Sequence, residues 1–289
     1  MYTIKPETIK ALALDLDGTT LRPDNTLSAR TIRALKICID RGIRVIICTG
    51  RSIGAAEPYR LALGAVGPMV YFNGAEVVDM PGGKLLNTAF LDREVLDFCV
   101  DLSRNQGIYF QVYFPVPSGE SGAPTAAGEL LMAERQSEET EMYRKHTGIQ
   151  AVIGDLKAAI PGQQGCIKSM FITDPATQDL IRPKLIEQFG SRVYVTRTHP
   201  AFLEILHPRA SKGLGLQHAM SYLNLAPAEL IAFGDEENDL PLFTTAGFSA
   251  APANAKESVR KAANMVIGSN GEDGVAAFLE EVLIHFKGH

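Results

Sequence analysis

The apolar rhythm of the chain changes twice. Ala11 to Leu16 is a short apolar run ending in acid, which predicts a strand buried on both faces and central in a parallel sheet. Ser28 caps a helical pattern with Ile32, Leu35 and Ile39 on one face, and Gly42 ends it. Arg44 to Cys48 reads as a second buried strand, Ser52 to about Leu63 as a helix, and Pro68 to Phe72 as a third strand stopped by Asn73-Gly74. Strand and helix in alternation predict the start of a doubly wound sheet with right-handed crossovers.

After Asn73 the pattern differs. Glu76 to Phe90 suggests a hairpin around Pro81-Gly82-Gly83, and Asp92 caps a helix that turns Val95, Leu96, Cys99 and Leu102 inward. Strand Tyr109 to Phe114 leads into an exposed loop from Pro115 to Gly128, then a charged helix near Glu134 to His146. Strand Cys166 to Thr173, helix Pro175 to Phe189 and strands Arg192 to Thr196 and Phe202 to Leu206 predict an antiparallel sheet with helices on one face. The first rhythm returns with helix Lys212 to Leu223 and strand Leu230 to Phe233, which ends in Gly234-Asp235. Helix Asp239 to Phe243, strand Phe248 to Ala250, helix Ala255 to Ala263, strand Met265 to Ile267 and helix Asp273 to Phe286 follow. The economical reading is an α/β fold: a parallel core, 1–84 plus 199–289, with a second α/β domain inserted at 85–198.

Bulk properties narrow this little. The 289 residues, 46% hydrophobic and 21% charged, suit a globular protein of one large or two moderate domains. A net charge of −5 provides no reason to expect nucleic acid or an anionic membrane as partner. Cys38, Cys48, Cys99 and Cys166 lack metal-site spacing and read as reduced, buried thiols. Met1 to Lys10 lacks the apolar stretch of a signal peptide, and no apolar run reaches the ~20 residues of a membrane span, so the expected location is cytoplasmic.

Four polar clusters fall at the carboxyl ends of predicted strands or open the helix that follows, where open parallel sheets bind ligands. They are Asp15 with Asp17, Thr49 with Gly50, Lys212, and Asp235 with Asn238 and Asp239. Crowded carboxylates repel by on the order of 4 kcal/mol per pair at 4 Å and an effective dielectric of ~20, and a divalent cation relieves this. Oxygen donors without His or Cys favour Mg²⁺. With Mg²⁺ and Lys212 present such a site attracts a phosphate dianion. One carboxylate can then attack as a nucleophile while a second moves the proton, and Thr49 and backbone N–H groups hold phosphate oxygens.

Asp15-Leu16-Asp17-Gly18-Thr19 followed by Leu21, Thr49-Gly50-Arg51, Lys212-Gly213 and Gly234-Asp235-Glu236-Glu237-Asn238-Asp239 resemble, in order and strand context, the four motifs of the haloacid dehalogenase-like superfamily. Asn73-Gly74, Asn254-Ala255 and Asp273-Gly274-Val275 are similar to its Cof-type, sugar-phosphatase-like branch. The resemblance implies a Rossmann-like core closed by a cap, and roles for matching positions. Asp15 would be nucleophile and metal ligand, and Asp17 the general acid/base with its carbonyl on the metal. Asp235 would be the remaining Mg²⁺ ligand. Thr49, Lys212 and Asn238, with the N–H groups of Leu16 and Gly50, would bind phosphate. Asp239 would orient Lys212 or reach the metal through water.

About thirty residues separate Asp17 from Thr49, too few for a cap domain, so the insert between the second and third motifs resembles the Cof-type arrangement rather than the β-phosphoglucomutase-like one. Ala251-Pro252-Ala253-Asn254 departs from the branch, where a Met-Gly pair commonly precedes the Asn-Ala step. Asn73 is a turn residue or lies near substrate. Arg51 pairs with a carboxylate or touches phosphate. Glu204, a charge inside a strand, needs a partner, and His199 and His207 read as structural or hinge residues at the return from the cap. The function expected is Mg²⁺-dependent hydrolysis of small phosphate monoesters, sugar phosphates or related metabolites, through an aspartyl-phosphate, by a monomer or weak homodimer. A phosphomutase of the phosphomannomutase type and a non-catalytic phosphometabolite-binding protein are the alternatives.

Overall fold

The computed structural model describes residues 4–115, 129–160 and 165–284. Its first stretch runs β1 (Ala11–Leu14), α1 (Ala29–Asp40), β2 (Arg44–Ile47), α2 (Ile53–Leu63), β3 (Gly67–Tyr71), β4 (Glu76–Met80) and β5 (Lys84–Thr88). There follow α3 (Arg93–Gln106), β6 (Tyr109–Pro115), β7 (Glu129–Ala133), α4 (Glu138–Thr147), β8 (Val152–Ile153) and α5 (Leu156–Ala159). Next come β9 (Lys168–Ile172), α6 (Pro175–Phe189), β10 (Tyr194–His199) and β11 (Phe202–Leu206). The chain closes with α7 (Lys212–Leu223), β12 (Leu230–Phe233), α8 (Leu240–Thr245), β13 (Phe248–Pro252), α9 (Glu257–Ala262), β14 (Met265–Ile267) and α10 (Gly274–Leu279).

A parallel sheet of order β14-β13-β12-β1-β2 forms the core. All four residues of β1 are buried, as a central strand covered on both faces requires. Its side chains alternate between two apolar layers. Leu12 and Leu14 pack in a cluster with Leu35, Cys38, Val275 and Phe278, from α1 and α10. Ala11 and Ala13 pack with Leu216, Ala219 and Leu242, from α7 and α8, where the small side chains let the helices approach.

The strand expected third in this sheet behaves differently. β3 meets the chain after β2 through the bridge Cys48–Val70 and the bond Thr49 N–H to Val70 O, and the residues just after β3 add Phe72 N–H to Arg51 O and Asn73 N–H to Thr49 O. Pro68 has no N–H to donate, and the Ile47 N–H goes to Met69 Sδ, so pairing starts late. β3 instead heads an antiparallel sheet of order β3-β4-β5, which contains the hairpin expected around Pro81.

The inserted region is a separate six-stranded sheet of order β10-β11-β9-β6-β7-β8, antiparallel except for β7 with β8. Strand pairing keeps the chain in the three-stranded sheet to Thr88 and in the six-stranded sheet to Leu206. One face packs on α3 and α6 through Val95, Cys99, Phe110, Phe171, Ile181, Leu203 and Ile205. Alternation along β9 and β11 therefore turns Lys168, Phe202 and Glu204 to the opposite face, toward the parallel core.

Other differences are local. β7, β8 and α5 are too short for their apolar runs to predict them. The charged helix begins at Glu138, four residues later than expected, because Ser137 and Thr140 cap it reciprocally and Glu134 is engaged by Arg104 and the Leu156 N–H. Asp92 precedes α3 without capping it through its side chain, which binds Arg192 Nε at 3.1 Å. The loop expected after Pro115 falls, from 116 to 128, outside the described residues. Among the described residues no helix is long and apolar enough to cross a membrane.

Candidate active site

Asp15, the first residue past β1, donates its N–H to Phe233 O of the neighbouring strand. The turn that follows is held by Thr20 Oγ1 on Asp15 O at 2.5 Å and Asn254 Nδ2 on Gly18 O at 2.8 Å. Gly18 adopts φ +73°, and a Cβ there would stand 2.1 Å from Asp235 Oδ2, so both conformation and space require glycine. Thr19 Oγ1 donates to Asp235 Oδ1 at 2.7 Å, tying the first turn to the loop after β12.

Lys212, the first residue of α7, is 2% exposed and donates to Asp15 Oδ1 at 2.7 Å and Asp239 Oδ1 at 2.6 Å. Asp239 Oδ2 accepts the N–H groups of Asp235 and Glu236 at 2.9 and 3.0 Å. Both oxygens of Asp239 are thus engaged, which makes it the residue that fixes Lys212 and shapes the Asp235 loop. Ser211 and Lys212 can come this close because Gly74, at φ +92°, has no Cβ to strike Ser211 O, which would lie 2.1 Å away.

Asp15, Asp235 and Asp239 bring carboxylate oxygens within 4.8 Å of one another. Burial, then repulsion from Asp239, raises the Asp15 carboxyl well above its ordinary value, with Lys212 opposing. The same two causes push Asp235 up to about 7. Burial acts to lower Lys212, but Asp15 and Asp239 outweigh it and its pKa is raised. Three carboxylates against one ammonium leave an excess of negative charge in a buried site, and this all-oxygen donor set fits a hard cation. Asp15 and Asp235 have the acceptor capacity for it.

Asp17 is outside that cluster. Its carboxylate lies in the fork of Arg51, with Nε at 2.8 Å from Oδ2 and Nη2 at 2.6 Å from Oδ1. Burial opposes ionisation, but the Arg51 bonds prevail and its pKa is lowered. Of the two expectations for Arg51, the structure shows the carboxylate partner; its guanidinium also lies 5.0 Å over the Tyr59 ring. Thr49 is fully buried, and its Oγ1 accepts the Arg51 N–H at 3.1 Å, leaving the hydroxyl hydrogen for another acceptor. Leu16 begins the turn after Asp15, its side chain in the core. Gly50 lines the cleft beside Asp15 and Asp17.

Asn73 is buried in the left-handed region at φ +56°, after Phe72 at φ +49°. Such positions cost roughly 1–3 kcal/mol each and persist where surroundings over-determine them. Asn73 Oδ1 accepts Asn238 Nδ2 and its Nδ2 donates to Glu204 Oε2, both at 2.9 Å. Glu204 Oε1 binds Lys168 Nζ at 2.8 Å, and Lys168 also reaches Gly50 O at 3.1 Å. This chain couples the inserted sheet to the loops after β2, β3 and β12. Glu204 has the partner its strand position demanded. Lys168 was not anticipated; a lysine opening an apolar run was its only signal.

A cleft of about 200 Å³ lies between the parallel core and the inserted sheet, with Tyr143, His146, Thr147, His199 and Phe202 on the inserted side. Tyr143, His146 and Phe202 gave no sequence signal, because they meet from α4 and β11, segments distant in the chain. His199, expected as structural, faces this cleft, whereas His207 accepts the Arg209 N–H in the return segment.

The parallel α/β core thus sets a buried carboxylate after β1 beside a lysine locked between two aspartates. The model for haloacid dehalogenase-like hydrolases matches residues 12–279, and the chain belongs to that family. It is 27% identical over 292 residues to the 5-amino-6-(5-phospho-D-ribitylamino)uracil phosphatase YwtE of Bacillus subtilis, covering 95% of this chain and 98% of that one. A second B. subtilis phosphatase of the same designation, YitU, is 28% identical over 278 residues, 93% of this chain and 96% of the other. A haloacid dehalogenase-like hydrolase of Bacteroides thetaiotaomicron superposes with a TM-score of 0.84 at 24% identity, over 95% of this chain and 100% of that one, which establishes the shared fold.

Proposed function

We propose that the protein is a Mg²⁺-dependent phosphatase of small phosphate monoesters, acting through an aspartyl-phosphate. The observation that carries this reading is Lys212 held between Asp15 and Asp239, beside Asp235. The similarity to curated phosphatases supports it.

Asp15 attacks phosphorus and the ester P–O bond breaks, with Asp17 protonating the departing alkoxide. Water then gives its proton to Asp17 and attacks the same phosphorus, breaking the bond to Asp15 and releasing inorganic phosphate. Lys212, Thr49, Asn238 and the N–H groups of Leu16 and Gly50 hold the phosphate oxygens. Asp15, Asp235 and the Asp17 carbonyl would hold Mg²⁺, which supplies neutralisation of phosphate charge. The inserted sheet serves as the cap, with its boundaries read near Thr88 and Leu206, and Asn73 and Arg51 positioning the loops beneath it. The same reading has the enzyme cytoplasmic, as a monomer or weak homodimer, with no nucleic acid or membrane partner.

The test is phosphate release from a panel of sugar phosphates, nucleotides and 5-amino-6-(5-phospho-D-ribitylamino)uracil, with Mg²⁺ or EDTA. Activity that needs Mg²⁺ and falls at least ~10³-fold in Asp15→Asn supports the reading. Equal rates in parent and Asp15→Asn would remove Asp15 from the mechanism. Isomerised sugar phosphate in place of free phosphate would identify a mutase.

A further inference from the structure

The cap side of the cleft is a wall of rings. His199 lies 4.4 Å from Phe202 between centroids, His146 lies 5.4 Å from His199 and 5.5 Å from Phe202, and Tyr143 lies 5.4 Å from Phe202. His146 and His199 are partly exposed, while Phe202 and Tyr143 behind them are buried. They come from α4, the end of β10 and the start of β11, so the wall exists only in the folded cap.

The polar groups of this wall are largely engaged. Tyr143 and Tyr113 share a hydroxyl–hydroxyl bond of 3.0 Å. Thr147 Oγ1 donates to Tyr143 O and accepts the Ile149 N–H. Lys168 and Glu204 neutralise each other, and the second Glu204 oxygen binds Asn73. His199 Nδ1 accepts the Ala201 N–H, which in the neutral ring puts the single proton on Nε2. Burial lowers the pKa of both imidazoles, His146 feeling the nearby Asp17 in opposition. Each cation in the lining other than these histidines, namely Arg51, Lys168 and Lys212, already has a carboxylate partner.

These facts discriminate among alcohols. A second phosphate or a carboxylate on the substrate would meet no unpaired cation among the described lining residues. A hydroxyl-rich alcohol would find the free ring nitrogens of His146 and His199 and the side chains of Asn25 and Asn238 as polar partners, and each hydroxyl left unpaired would cost roughly 1–3 kcal/mol. A flat unsaturated ring adds stacking or edge contact with imidazole and phenyl, which a hydroxylated chain cannot make.

We propose that the wall of Tyr143, His146, His199 and Phe202 is the subsite for the alcohol half of the substrate, selecting phosphate monoesters that carry an uncharged planar heteroaromatic ring. This rests on the phosphatase reading above. The test compares uridine 5′-monophosphate with ribose 5-phosphate, which share phosphate and pentose and differ by the ring. In the parent with Mg²⁺, kcat/KM for the nucleotide should exceed that for the sugar phosphate at least tenfold. In Phe202→Leu and His199→Ala the ratio should fall toward one, mainly through KM for the nucleotide. A ribose or hexose phosphate turned over faster than the nucleotide overturns the proposal, as does a ratio unchanged in both variants. The two substrates are also titrated calorimetrically into folded Asp15→Asn protein. A persisting affinity gap in favour of the nucleotide supports the subsite even if no ester is hydrolysed, an outcome that would sink the phosphatase reading alone. Equal affinities overturn the subsite.

Discussion

Arg51 grips both carboxylate oxygens of Asp17, joining the turn after β1 to the loop after β2. The proposed proton carrier is therefore held in its charged form, and the pair has to open before Asp17 can deliver a proton to a leaving alkoxide.

Arg51→Ala removes the interaction that keeps the Asp17 pKa below its ordinary value. Burial then acts unopposed by the fork, and the pKa rises. The limb of the kcat/KM profile carried by Asp17 should move to higher pH by on the order of one unit, with Arg51→Lys in between. Profiles that superimpose in parent and Arg51→Ala would dissociate Asp17 from that limb.

Protons and the cation compete at Asp235, whose carboxyl is pushed up to about 7 by burial and then by Asp239. Apparent Mg²⁺ affinity should climb by up to about tenfold per pH unit below 7 and flatten above it. Calorimetric titrations from pH 5.5 to 8.5 measure this. Asp235→Asn should bind more weakly and lose the slope; an Asn variant that binds as tightly as the parent contradicts the assignment.

Gly18→Ala places a methyl group where Asp235 Oδ2 now stands, in a left-handed conformation that costs L-residues about 1 kcal/mol. A lower Tm and at least tenfold weaker Mg²⁺ binding are expected together. Unaltered metal affinity would mean that the turn relaxes without moving Asp235.

Glu76 is 6% exposed, and burial, with repulsion from Glu129, raises its carboxyl to about 8. The unfolded chain titrates near ~4.3, so the folded state binds the extra proton between these values. The stabilisation is complete below the unfolded pKa and is lost as pH rises through about 8. Glu76→Gln should match the parent near pH 4 and exceed it by a few kcal/mol at pH 8.5, read from urea unfolding across pH. Parallel pH profiles would rule out the raised pKa.

The parallel core and its rim were legible in sequence because their elements are local. Period and buried runs mark β1, β2 and β12, and a residue next in sequence to a parallel strand's carboxyl end must emerge on one rim, so Asp15, Thr49 and Asp235 could be grouped without coordinates. Lys212 was readable because a cation at a helix N-terminus invites a negative partner.

What the sequence by itself determined is therefore the parallel core, the order of its motifs and the residue types at the rim, all set by near neighbours along the chain. Only the tertiary structure decided how each charge is paired: Arg51 on Asp17, Asp239 with both oxygens engaged, and Lys168 with Glu204 on the inner face of the inserted sheet. It also decided that β3 leaves the parallel sheet and that Tyr143, His146, His199 and Phe202 meet on one wall of the cleft. These depend on packing between segments far apart in sequence, and no local propensity encodes which distant partner a side chain will meet.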